Sequence, residues 1–72
     1  MKKTYSIMVD CPNCAEKMET AAKNIPGVVN CRVNFMALKM KVDFEDGVDE
    51  KSVMDAVAKA CRRVEPDCSI DY

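Results

Sequence analysis

The chain has no histidine, no large surplus of either charge and no long apolar run. Without histidine, and with no second Cys-x-x-Cys pair, a closed four-ligand zinc site lacks its usual donors. Eleven Lys plus Arg stand against 12 Asp plus Glu, leaving a net charge of −1. Acids and bases are interleaved, so the sequence offers no basic stripe for nucleic acid or anionic lipid. Apolar runs stay short, Ile7 to Val9 for example, where a spanning helix needs about 20 residues. Neither a transmembrane segment nor a signal peptide is expected, and the thiols are read in a reducing, cytoplasmic setting. A P-loop and the Asp-Lys-Thr-Gly-Thr phosphorylation sequence are also missing, so residues 1–72 alone hydrolyse no ATP.

What is present is one small domain's worth of chain: 72 residues, 49% of them apolar. Such a chain buries roughly 60% of its unfolded surface, and its core contributes about 3 to 5 kcal/mol of net stability. A large internal substrate cavity is excluded on that ground.

Tyr5, Ile7 and Val9 alternate, predicting a strand over about Lys3 to Val9. Cys14, Ala15, Met18, Ala22 and Ile25 follow helical spacing from Pro12 to Asn24, and Pro26-Gly27 stops that helix. Val28 to Asn34 reads as a strand with Cys31, Val33 and Phe35 in step. After a turn at Met36-Ala37, the residues Leu38, Met40, Val42 and Phe44 alternate with charged ones, giving a hairpin. Asp49 caps a second helix carrying Val53, Ala56, Val57, Ala60 and Cys61 on one stripe. Cys68, Ile70 and Tyr72 alternate as a last short strand. The order β-α-β-β-α-β predicts an α+β, ferredoxin-like sandwich: a four-stranded antiparallel sheet with both helices on one face. That topology gathers Asp10, Cys11, Cys14, the Phe35-Met36 tip and the Arg62 to Asp67 segment at one end.

The five cysteines divide into a pair and three singles. Cys11 on a loop and Cys14 in the first helical turn can aim both sulfurs at one point, where the positive helix end favours thiolates. Asp10 can add a carboxylate, and two thiolates with one carboxylate suit a borderline divalent ion such as Zn²⁺ better than Cu⁺. A fourth ligand would be water or come from a partner. Cys31, Cys61 and Cys68 keep step with apolar neighbours and read as small core hydrophobes, with Cys61 nearest the site end. Met18, Met40 and Met54 likewise sit at core spacing, whereas Met8 and Met36 lie near the site. Phe35 or Met36 is expected to cover the loop. Lys39, Lys41, Asp43 and Glu45 read as solvated surface. Cys11-Pro12-Asn13-Cys14 is also similar to the Cys-Pro-x-Cys of glutaredoxins. A carboxylate beside the attacking thiol opposes thiolate formation, however, and the strand order differs, leaving a thiol oxidoreductase as the weaker alternative.

Asp10-Cys11-Pro12-Asn13-Cys14, Ile25-Pro26-Gly27-Val28 and Val33-Asn34-Phe35 together make nearly the whole chain resemble the heavy-metal-associated domain family, whose pattern is Gly-Met-x-Cys-x-x-Cys. Met8 stands in the glycine position and Val9, an apolar anchor, in the methionine position. The resemblance implies a non-enzymatic metal-binding module with Cys11 and Cys14 as ligands. The aspartate at Asp10 and the stretch Val64-Glu65-Pro66-Asp67 look like the zinc, cadmium and lead branch of the P-type ATPases. The function so implied is to hold Zn²⁺ or Cd²⁺, or Pb²⁺, and pass it to or within an efflux ATPase or cognate transporter on the cytoplasmic side. The alternative is a Cu⁺ chaperone. A monomer is expected, with a metal-bridged dimer as a variant.

Overall fold

The computed structural model describes all residues 1–72. Strands β1 (Lys2–Met8), β2 (Val28–Asn34), β3 (Lys39–Phe44) and β4 (Ser69–Asp71) alternate with helices α1 (Pro12–Lys23) and α2 (Glu50–Val64) in the order β1-α1-β2-β3-α2-β4. The strands form one antiparallel sheet in the order β2-β3-β1-β4. This is the expected ferredoxin-like arrangement.

Period-two alternation decides which face is buried. Ile7, Cys31, Met40, Val42 and Phe44 point to the helices and share one core with Ala15, Met18 and Ala22 of α1 and Val53, Met54, Val57 and Cys61 of α2. Met18, Met40 and Met54 are fully buried. Unbranched thioethers fill the irregular space between two helices and a twisted sheet.

Local chemistry sets the element ends. Asp49 caps α2, its carboxylate accepting from the Lys51 amide at 3.2 Å and the Ser52 hydroxyl at 2.9 Å. Glu50 in the first turn and Arg62 and Arg63 in the last suit the helix dipole. Between α1 and β2 the chain turns at Gly27 with φ 97°, and a Cβ there would lie 2.8 Å from a Val53 methyl. Glycine thus permits both the turn and the close approach of α2.

Two local features differ from the sequence reading. Val28 and Cys31 both face the core although three positions apart, because the β2–β3 register shifts between Val28 and Asn30. The extra residue leaves Val29 exposed and restores phase for Cys31 and Val33. The hairpin connection is the four-residue turn 35–38 rather than Met36-Ala37 alone. Its geometry comes from the Asn34 carboxamide oxygen accepting the Ala37 amide at 3.1 Å and from Leu38 at φ 52°. Leu38 therefore leaves the strand alternation, yet its carbonyl accepts the Ile7 amide at 3.0 Å.

Register fixes what shares an end. Ser6 faces Lys39, and Met8 faces Ser69, so the loop after β1, the hairpin tip and the turn before β4 lie together. No helix is long and apolar enough to cross a membrane.

Candidate metal centre

At that end Val9 is buried and anchors the exposed loop that leads into α1. Cys11 is the N-cap of α1, with extended backbone (φ −150°, ψ 156°), and Pro12 occupies the first helical position, where no amide hydrogen is needed. The Cys11 Sγ accepts the Cys14 amide at 3.2 Å. A sulfur thus takes the place that a serine or aspartate oxygen usually fills. The sequence reading placed Cys11 on the loop and missed this capping role, which the proline directly after it could have signalled.

Cys11 and Cys14 are both half-buried, with Cα atoms 5.2 Å apart, and their sulfurs are joined as a disulfide. The sequence reading expected two thiols. The spacing that lets both sulfurs face one ion also lets them bond to each other, since 5.2 Å falls within the roughly 4.4 to 6.8 Å that a disulfide spans. Reduction returns two sulfurs poised at a helix N-terminus, where partial positive charge favours anionic ligands. The first turn of α1 holds no acidic side chain, and the nearest carboxylate in sequence is that of Asp10, directly before the cap. Asp10 is exposed and, with the pair closed, joins no three-ligand cluster with the sulfurs.

The other cysteines are placed as expected for core residues. Cys31 and Cys61 are 1% and 0% exposed, and Cys68 is buried as well. Cys61, although near the site end, turns inward and donates its thiol hydrogen to the Met18 carbonyl at 3.6 Å. Burial pushes the Cys31 thiol up to about 11 and the Cys61 thiol up to about 12, with nearby Cys68 adding to the latter. The Cys68 thiol is also raised, first by burial and then by Glu65. Thiols held neutral in this way are poor ligands and poor nucleophiles. At the hairpin tip Phe35 packs against the core, whereas Met36 is 91% exposed. The apolar cover expected from Phe35 or Met36 is therefore not provided by Met36.

A four-stranded antiparallel sheet and two helices in the order βαββαβ, with a Cys-x-x-Cys at the start of the first helix, define a ferredoxin-like module. The profile of the heavy-metal-associated domain matches residues 4–63, and the chain belongs to that family. Over 62 residues, 86% of its length, it is 37% identical to the cadmium, zinc and cobalt-transporting ATPase of Bacillus subtilis (strain 168), and it spans 9% of that protein. Among solved structures, the CopZ metallochaperone superposes with a TM-score of 0.75 at 19% identity, covering 99% of this chain and all of the other. The N-terminal domain of a potential copper-translocating P-type ATPase from Bacillus subtilis, in its Cu(I)-loaded state, gives 0.73 at 24% identity over 97% of this chain and 82% of that one. These two likenesses concern the fold.

Proposed function

We propose that residues 1–72 form one cytoplasmic metal-binding module that takes Zn²⁺ or Cd²⁺, and by the same chemistry Pb²⁺, through Cys11, Cys14 and Asp10. The observation that carries this is the convergence of two sulfurs at the start of α1, directly after a free carboxylate on an exposed loop. Two thiolates and a carboxylate bring three negative charges to one divalent ion, a harder and more anionic set than Cu⁺ requires. The 37% identity to a transporter named for cadmium, zinc and cobalt supports the same choice.

The ion is cargo. With two or three protein ligands and an exposed rim it is incompletely coordinated, so thiolates of a partner can enter before those of Cys11 and Cys14 leave. Delivery to, or regulation of, a P-type efflux ATPase follows as ligand exchange, with no bond of a substrate broken. A metal-bridged dimer arises if the partner is a second copy. Cu⁺ held by the two sulfurs alone is the second reading, favoured by the fold shared with domains named for copper.

The test is a Cd²⁺ titration of the reduced chain, following the ultraviolet thiolate-to-metal band. One ion per chain with the intensity of two Cd–S bonds is the expected endpoint. An intensity of three or four sulfurs would bring a core cysteine into the site, and the absence of a saturable band would return the pair to thiol oxidoreduction.

A further inference from the structure

The strand residues that alternate away from the helices form an open sheet face with a charge pattern that the linear sequence conceals. Arg32 of β2 and Lys41 of β3 stand directly opposite each other, Lys39 faces Asn34, and Lys2 of β1 lies at the far end beside Asp43. Like charges directly opposed across strands are unfavourable. The chain's ion pairs are those of the N-terminal amine with Asp43 and of Lys3 with Glu50, so Lys2, Arg32, Lys39 and Lys41 have no carboxylate partner. Lys39 is instead steadied by donating to the Ser6 hydroxyl at 2.8 Å. Four cations thus gather on one face of a chain whose overall charge is −1.

The face is also shaped. A groove of about 540 Å³ at the hairpin is lined by Arg32, Lys39 and Lys41 together with Val33, Phe35 and Met36. A second depression of about 250 Å³ continues it past Arg32 and Lys41 toward Lys2 and Asp43. From these observations we infer that the β2–β3 face docks an extended acidic segment of a partner protein, with carboxylates over Arg32 and Lys41 and an apolar side chain against the exposed Met36. Arg32 supplies a planar fork suited to a carboxylate. The occupant lies along the hairpin, because Asp71 on β4, opposite Ser6, would repel a flat anionic surface covering the whole sheet. Single-stranded nucleic acid is disfavoured by the lack of a stacking platform: Tyr5 and Phe44 alternate toward the helices, Phe35 packs on the core and Tyr72 bonds Asp55 of α2. This surface lies on the side of the sheet away from the helices, and the docking stands or falls independently of the metal.

The experiment is an amide-shift titration of the 72-residue chain with the blocked peptide Glu-Leu-Glu-Glu-Leu-Glu. A short oligothymidine and phosphatidylserine vesicles are run in parallel. Shifts confined to β2, β3 and the tip, abolished by about 0.5 M salt, are expected. Arg32→Glu with Lys41→Glu is expected to weaken the peptide by at least about tenfold while leaving the Cd²⁺ endpoint unchanged. Should the double reversal fail to fold, Arg32→Gln with Lys41→Gln decides the matter, with a loss of about threefold or more. Shifts that map to the helices, peptide binding insensitive to these variants, or tighter binding of the oligonucleotide or the vesicles would overturn the proposal.

Discussion

The two kinds of cysteine in this chain differ in burial and in what their sulfurs touch. Cys11 and Cys14 sit half-buried at the start of α1, where the sulfur of Cys11 meets a backbone amide. Cys31, Cys61 and Cys68 are buried among methionine, valine and isoleucine, and Cys61 spends its hydrogen on a carbonyl. The first environment leaves the sulfurs within reach of solvent, and the second favours the neutral thiol. The protonation of a thiol thus depends on where its sulfur stands in the fold rather than on how many sulfurs the chain contains.

The harshest test of this contrast exchanges the oxygen for the sulfur in each setting. Cys11→Ser with Cys14→Ser is expected to cut Cd²⁺ affinity by at least about 10³-fold, with urea stability of the reduced protein changed by under about 1 kcal/mol. Cys61→Ser should do the reverse. It buries a hydroxyl in an apolar core and costs about 1 to 3 kcal/mol, while the two-sulfur Cd²⁺ band stays intact. A Cys61→Ser protein of normal stability and weakened band would erase the distinction.

Titration sharpens the same contrast. The folded chain keeps protons on Cys31 and Cys61 up to about 11 and about 12, whereas an unfolded thiol releases its proton near 9.0. Their contribution to stability is therefore complete below pH 9 and declines as pH rises through 9 toward 11 and 12. Urea midpoints of the reduced chain should fall over that window. In the reduced, folded protein at pH 8, alkylation should reach the half-buried Cys11 and Cys14 long before the three buried cysteines. The smallest expected effect concerns the neighbouring carboxylate: Asp10→Ala should weaken Zn²⁺ by about tenfold and leave Cu⁺ nearly unchanged. Equal loss for both ions would remove Asp10 as the selecting ligand.

Much of this was legible from residue order. Strand and helix periods located every element, the core thiols and the buried methionines, because burial repeats along a chain with the period of its backbone. Features that depend on a tertiary neighbour were not legible. The shifted register at Val28 and Asn30 is visible only against β3, and the left-handed Leu38 only with the Asn34 turn. The need for glycine at Gly27 comes from a Val53 methyl 26 positions away. Alternating charges along β3 read as solvated surface, yet beside β2 the same lysines line up with Arg32. At the candidate site, Cys11 and Cys14 were legible as a pair from their spacing, whereas their closure as a disulfide and the exposed, ungathered position of Asp10 belong to three-dimensional geometry.

Because the sulfur of Cys11 is itself the cap of α1, held 3.2 Å from the Cys14 amide, a change of bonding at that sulfur is transmitted to one backbone proton. The exchange rate of the Cys14 amide therefore serves as a gauge of the loop. On the proposed metal site it is expected to differ between joined sulfurs, free sulfurs and sulfurs that hold an ion. A single backbone resonance would then report occupancy of the proposed site in a mixture, without removing the ion to count it.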